Sequence, residues 1–430
     1  MALLSALLIL VLVRANYLLH RDAMYPAFLQ ASLWFGAVSL FSLFQGMFVP
    51  VPDGVFALLV AGVLLFSMGA FVGSYDHQPF LARNYVREGT LPTKRALAAL
   101  AIVVTLGFVL YVRRTYYLSS SGPSENPFIN LRYALSVIPE ETGGLGIAEY
   151  FIGPAYVLAA ITVLQRHRLT KPTVSRLAVG VTLLVGLLFG VLSSGRGQVL
   201  ALIVIVLTIP TVLRAIKALK AGLTLALLVL ILFAAVGITL EKGGSPGSTL
   251  TENWSTLRES FLTYLLAGIP ALGTYLHNRG PDVDLGANSF RSVFAVLHAL
   301  GFHVTAAPVV QPYIDVPMSA NVYTVQHPYI KDFGILGGAL TLFALGFLHS
   351  ILYRRATVRE PHAMYVFLFA LSLFPLIMQV FQDMYFTLLS MWIQYGIYAV
   401  AFFLFLSERT YQTDFRNARS GELREAGNAV

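Results

Sequence analysis

Long apolar runs separated by short polar connectors recur along the whole chain. Eleven of them approach the roughly 20 residues that a helix needs to cross a bilayer core. They lie at 2–19, 27–47, 55–74, 96–112, 150–165, 177–193, 198–213, 221–240, 334–352, 363–381 and 385–406. Arg14 interrupts the first run, which still spans if that side chain snorkels to the interface. A cleaved signal peptide fits poorly there, because no positive charge precedes the run and no clear small-residue cleavage site follows it. A further apolar stretch, 257–276 (LRESFLTYLLAGIPALGTYL), reads as a helix lying on the outer face or dipping in and returning, kinked near Pro270. No 20–50-residue repeat is visible, and the two halves show no matched broken helices.

Composition fits the pattern. Apolar and aromatic residues make up 57% of the 430 positions and charged ones 12%, against about 25% charged in a soluble domain. The mean hydropathy is +0.72. These values exclude a water-soluble enzyme and a disordered chain. The absence of cysteine excludes disulfides, thiolate nucleophiles and cysteine-ligated metals or clusters.

The net charge of +8 would point to nucleic acid in a soluble protein, but here it bears on topology. Segments 14–24, 83–95, 166–176, 214–220, 354–359 and 409–424 hold 20 of the 29 Lys and Arg, and the opposite segments hold 13 of the 21 acids. The positive-inside rule makes the first set cytoplasmic, with the amino terminus outside and the carboxyl terminus inside. A crossing at 257–276 would reverse the side of the Arg354/Arg355/Arg359 cluster. The expectation is an all-α polytopic membrane protein, a single domain over 1–430 with about eleven spans and two outer loops, 113–149 and 241–333. The second loop is far longer than usual connections. It opens on the flexible GGSPGS and holds a second helix candidate at 289–303, where Phe290, Phe294, Leu297 and Gly301 share a face.

Candidate chemistry gathers on the outer side. Ser193-Ser194-Gly195-Arg196-Gly197-Gln198 joins two spans, and a guanidinium there, beside the free N–H groups of a helix start, suits a phosphate. The same turn is also what an interfacial arginine contacting lipid headgroups looks like. Residues 321–334 (NVYTVQHPYIKDFG) pack Asn321, Tyr323, Thr324, His327, Tyr329, Lys331 and Asp332 into the last stretch before a span. His327 can take a proton near neutral pH, and Asp332 can act as a base or orient one. An aromatic belt with a polar cap is the plainer alternative. Arg258 and Arg291 each sit on a helix candidate of the long loop. Glu149 and Asp383 read as helix-end charges. Asp282-Val-Asp284 is a DxD pair in a Gly/Pro turn, a weak metal signal. His298 and His303 are five residues apart, which does not align two ligands on a helix. Phosphate-loop, zincin and serine-hydrolase motifs are absent.

The Ser-Gly-Arg-Gly turn after a central span, the long outer loop, and N-V-Y-T…H-P-Y…K-D-F-G leading into a late span resemble the Wzy-type O-antigen and oligosaccharide repeat-unit polymerases. The family more often has Gly-Ser-Arg-Gly at that turn. The resemblance implies a GT-C-like membrane fold and a glycosyltransferase of the bacterial inner membrane, with its site facing the periplasm. Its substrate would be an oligosaccharide on undecaprenyl pyrophosphate, and its partners membrane lipid and a chain-length regulator protein, with no nucleic acid, metal or other cofactor. On this reading Arg196 and Arg291, supported by Arg258 or Lys331, neutralise the departing pyrophosphate. His327, or failing it Asp332, is the base, and Asn321, Tyr323 and Tyr329 hold the sugar. A transporter or flippase for lipid-linked sugars, an O-antigen ligase-like transferase and a non-catalytic assembly partner are the competing readings.

Overall fold

The structure, a computed structural model, describes residues 1–122, 124–239, 250–278, 283–308, 311–316 and 318–408. The GGSPGS entry, Asp282 of the DxD pair and the basic tail 409–424 lie outside the described residues. The chain is predominantly helical: α1 (Ala2–His20), α2 (Pro26–Phe44), α3 (Asp53–Gly73), α4 (Lys94–Ser120), α5 (Pro127–Ser136), α6 (Pro139–Thr142), α7 (Ile152–Gln165), α8 (Arg176–Leu192), α9 (Arg196–Val212) and α10 (Ala218–Thr239). After α10 come α11 (Leu250–Leu266), α12 (Gly268–Asn278), α13 (Arg291–Ala299), a hairpin pairing β1 (Ile314–Asp315) with β2 (Ser319–Ala320), α14 (Gln326–Ala356), α15 (Ala363–Met378) and α16 (Leu389–Val400).

Each of the eleven apolar runs falls on a helix. Among the described residues seven helices are long and apolar enough to cross a membrane, and four shorter apolar ones accompany them. Their outer faces carry what water would not tolerate. Leu219, Leu223, Leu227 and Leu230 of α10 are all exposed, as are Leu3, Leu4, Leu7, Leu8 and Val11 of α1. Exposed apolar surface of this extent marks a multi-pass membrane protein.

The chain forms two compact units. The first comprises 1–81, 233–354 and 372–392; the second comprises 82–232, 355–371 and 393–430. In the first, α1, α2 and α3 pack together around Trp34, Phe41 and Phe66. α14 crosses α3 with backbone against backbone. A Cβ at Gly69 would strike the Phe343 carbonyl, and one at Gly346 would strike that of Phe66. The second unit packs α4, α7, α8 and α9 around Tyr111, Tyr156 and Phe189.

Segments that the charge rule assigns to one side meet one another. In the second unit Asn84 N donates to Leu213 O, Val86 N to His167 O, Arg87 N to Pro361 O, Thr93 N to Leu406 O and Glu408 N to Leu91 O. Arg168 grips Glu408 at 2.8 and 2.9 Å and Glu88 at 3.0 Å. In the first unit the ends of α1, α3 and α14 meet, with Tyr353 donating to Asp22 at 2.7 Å and His20 bonded to Ser74 at 3.0 Å. The expected parity requires these neighbours.

Local structure refines several expectations. The 257–276 stretch falls on α11 and α12, which break near Pro270, at Ala267. Pro270 takes the third position of α12, where a helix start leaves the N–H unpaired anyway. The 289–303 candidate is helical over Arg291–Ala299, and Gly301 (φ +90°) ends it in the left-handed conformation. The turn-rich 113–149 loop holds α5, which starts where Asn126 caps Phe128 N and Pro127 occupies the first helical position.

Candidate functional site

In the first unit the site grows from the start of α14. Gly334 (φ +70°, ψ −178°) interrupts that helix, in a region open essentially to glycine alone. The break separates a polar segment, 326–333, from the apolar shaft behind it. Beside the segment, Ala267 and Ala271 from the start of α12 and the break before it, Val316 and Ala320 from the β1–β2 hairpin, and Tyr323 form a small apolar cluster.

His327 is buried between two tyrosines. The Tyr323 ring stacks on it at 4.2 Å, and Tyr275 of α12 meets it edge-on at 4.5 Å. Tyr323 is itself fixed by donating to Pro312 O at 3.1 Å. Among the described residues no group hydrogen-bonds the His327 ring, so its nitrogens stay available to a ligand hydroxyl. Burial, and after it the Lys331 charge, push the His327 imidazole down to about 3, against the opposing charge of Asp284.

Asp332 is fully buried and pins the long loop to α14. Its Oδ1 accepts from Asn288 N at 3.1 Å and Asn288 Nδ2 at 2.7 Å, and its Oδ2 from Ser289 N at 2.6 Å. Asp284 N and Leu285 N donate to the Lys331 and Asp332 carbonyls. Lys331 Nζ lies 3.2 Å from Asn288 Oδ1 and 3.3 Å from Asp284 Oδ2. The Asn288 hydrogen bond and then the Lys331 charge hold the Asp284 carboxyl below its ordinary range. Two residues beyond Ser289, Arg291 opens α13 half-buried, and its Nε donates to Ala307 O at 2.8 Å.

The remaining members differ in access. Tyr329 is fully buried and donates to Asp383 at 2.6 Å; Asp383 also accepts from the N–H groups of Tyr385, Phe386 and Thr387. Burial pushes the Asp383 carboxyl up, against those hydrogen bonds. The pair ties α14 to the segment after α15. Asn321 is partly exposed, with no hydrogen-bond partner for its side chain among the described residues. Arg258 is exposed on α11, its guanidinium 5.7 Å from the Phe44 ring; its contact lies outside the hydrogen-bonded set.

Arg196 belongs to the second unit. It is the first residue of α9, half-buried, at a helix start that no side chain caps. Ser194 bends the turn with φ +56°, uncommon for a residue other than glycine. Ser193 Oγ donates to Gly190 O at 2.7 Å and accepts from Gly195 N at 3.2 Å. Two buried tyrosines hold the arms: Tyr111 donates to Phe189 O at 3.2 Å and Tyr156 to Gln198 O at 2.8 Å. Glu149 lies within electrostatic reach of Tyr111.

The structure thus brings His327, Lys331, Asp332, Arg291, Tyr323 and Tyr329 into one connected region through residues that sequence reasoning passed over: Asn288, Ser289 and Tyr275. The Asn-Ser pair just before a helix was the available signal, since both types favour helix starts. Among the described residues no three His, Asp or Glu side chains gather as metal ligands. The chain matches no protein-family model, no curated protein and no solved structure in these comparisons.

Proposed function

We propose that this chain is a membrane glycosyltransferase, with an eleven-span GT-C-like architecture. It would join oligosaccharide repeat units carried on undecaprenyl pyrophosphate at the periplasmic face of the inner membrane. The observation that carries the reading is the His327 ring, held by two tyrosines and without a hydrogen-bond partner among the described residues, next to Lys331 and the Arg291 loop. In the reaction a hydroxyl of the acceptor sugar loses its proton to His327 as its oxygen bonds the anomeric carbon of the donor. The bond from that carbon to pyrophosphate breaks, and the leaving electrons rest on phosphate oxygens, where Lys331 and Arg291 offset them. Arg196 and the open start of α9 are the corresponding phosphate candidates of the second unit. Asn321 is the accessible contact for sugar. Asp332 takes a positioning role, because its three hydrogen bonds hold the Arg291 loop in place.

The test is reconstitution of the full chain with a defined lipid-linked repeat unit, with and without chelator. Lengthened products in both arms support the reading. Folded protein that leaves the substrate unextended opposes it.

One observation favours a second reading, transport of the lipid-linked sugar. Gln30, Gln379, Tyr385, His349 and Ser372 form a buried hydrogen-bonded chain in the first unit, with steps of 2.9–3.3 Å. Polar groups in such a place line pathways in transporters. Movement of labelled lipid across liposomes without any lengthening would favour this alternative. A ligase-like activity uses the same donor and is told apart by its product, a capped lipid core.

A further inference from the structure

In the first unit α13 carries two apolar stripes. Phe290, Phe294 and Leu297, at helical spacing, are partly buried. Val293, Val296 and Leu300, also at helical spacing, are exposed, Leu300 by 70%. Exposed Phe302 extends the second stripe. The end of the helix is closed rather than frayed: Phe302 N donates to Leu297 O at 3.0 Å and Gly301 N to His298 O at 2.9 Å, which satisfies two of its last carbonyls. From Ser292 to Ile314 the sequence holds no Asp, Glu, Lys or Arg. Contiguous exposed apolar surface of this kind marks a contact with membrane or protein. Its surroundings favour membrane. The Phe290 ring lies 6.3 Å from that of Phe333, and Leu285, 76% exposed, donates its N–H to Asp332 O at 3.1 Å. Just beyond Phe333, residues Ile335, Leu336 and Leu340 of α14 are exposed as well, and they form the lipid-facing side of a span. The base of α13 is therefore fixed where that lipid-facing side begins. The helix has nine residues, about 14 Å at ~1.5 Å per residue, half the roughly 30 Å hydrocarbon core. It is too short to cross, and a short apolar helix at that level lies in the boundary plane.

We propose that α13 and Phe302 dip into one leaflet of the bilayer as an interfacial anchor beside the start of the α14 shaft. Acyl chains cover Val293, Val296 and Leu300, and Arg291 and Lys331 stand at the level of the lipid phosphates. The proposal rests on the multi-pass reading and is independent of the catalytic one.

The sequence has no cysteine, so single cysteines can be introduced one at a time into the full-length protein. Val296→Cys, Leu300→Cys and Phe302→Cys, each carrying a nitroxide, are placed in nanodiscs of dioleoylphosphatidylcholine and dioleoylphosphatidylglycerol. Collision of the nitroxide with oxygen, which concentrates in lipid, is compared with collision with a water-soluble nickel chelate. Leu336→Cys is the lipid reference, and Glu125→Cys, at an exposed position, is the water reference. The three anchor labels should favour oxygen, as Leu336 does but less strongly, because they lie shallower. Labels that favour the chelate as Glu125 does would overturn the proposal. Labels shielded from both reagents would overturn it too, because protein would then cover the stripe. A Leu336 label that favours the chelate would overturn the multi-pass reading and the proposal with it. Should the nitroxide disturb the helix, bimane on Val296→Cys gives a second measurement. Lipid brominated near the top of its acyl chains should quench it, and undiminished fluorescence would contradict the proposal.

Discussion

Arg168 and His327 are both largely enclosed ionisable side chains, yet the protein treats them oppositely. Arg168 meets Glu408 through two hydrogen bonds and Glu88 through a third, so its charge is spent in tying three chain segments together. His327 is held just as firmly, but by rings, and its nitrogens meet no protein partner among the described residues. Saturated polar groups hold structure, whereas polar groups fixed by apolar contacts stay available to a ligand. Asp332 belongs with Arg168 on this criterion and Asn321 with His327, although both lie in one sequence motif.

The largest expected effect tests the saturated side. Asp332→Ala strands two backbone N–H groups and the Asn288 amide in a buried place, which costs about 3–5 kcal/mol. Thermal or denaturant unfolding in detergent should show it. A variant that melts like the wild type would mean that the carboxylate is not the pin. His327→Gln tests the other side. It should slow chain extension by about 10²–10⁴-fold, the usual contribution of a general base, while unfolding moves by less than about 1 kcal/mol. A large stability loss with normal extension would invert the comparison.

Smaller effects sharpen it. Tyr156→Phe removes one hydrogen bond from the Arg196 turn and should cost about 0.5–1.5 kcal/mol. If that turn receives phosphate, the apparent KM for the lipid substrate rises as well. The smallest is a pH effect at Glu88. Burial raises its pKa, but hydrogen bonds from Thr170 and Arg168 outweigh burial and leave the carboxyl below its ordinary value. A lowered folded-state pKa gives stability that is complete above the unfolded value and disappears as pH falls through the folded one. Unfolding midpoints followed from neutral pH down to about pH 3 should therefore fall slightly more in the wild type than in Glu88→Gln. Glu88 is partly exposed, so the difference is small.

The helices were legible because crossing a membrane writes itself into long apolar runs, and each run found its helix. Lys and Arg are distributed unevenly among the loops, and within the second unit several segments of the basic set meet through backbone hydrogen bonds. The residue types of the outer motif were visible too, but not their orientations. Tyr329 looks like a sugar contact in sequence, yet its hydroxyl serves a carboxylate 54 residues away. Asp332 looks like a base and instead accepts hydrogen bonds from residues more than forty positions earlier. Partners so distant leave no local trace. The α11–α12 break falls near Pro270, as expected, but three residues ahead of it, because proline cannot continue a helix yet can begin one. Gly268 lies at the break instead, where a Cβ would come within 2.9 Å of the Val380 carbonyl.

The most direct measurement uses a single preparation. Wild-type, His327→Gln and Arg291→Gln proteins, matched in folded fraction, receive the same undecaprenyl-pyrophosphate-linked repeat unit, and product length is read by gel. The account predicts a ladder from the wild type and short or absent products from both variants. An unextended substrate with folded wild type, or a full ladder from His327→Gln, would contradict it.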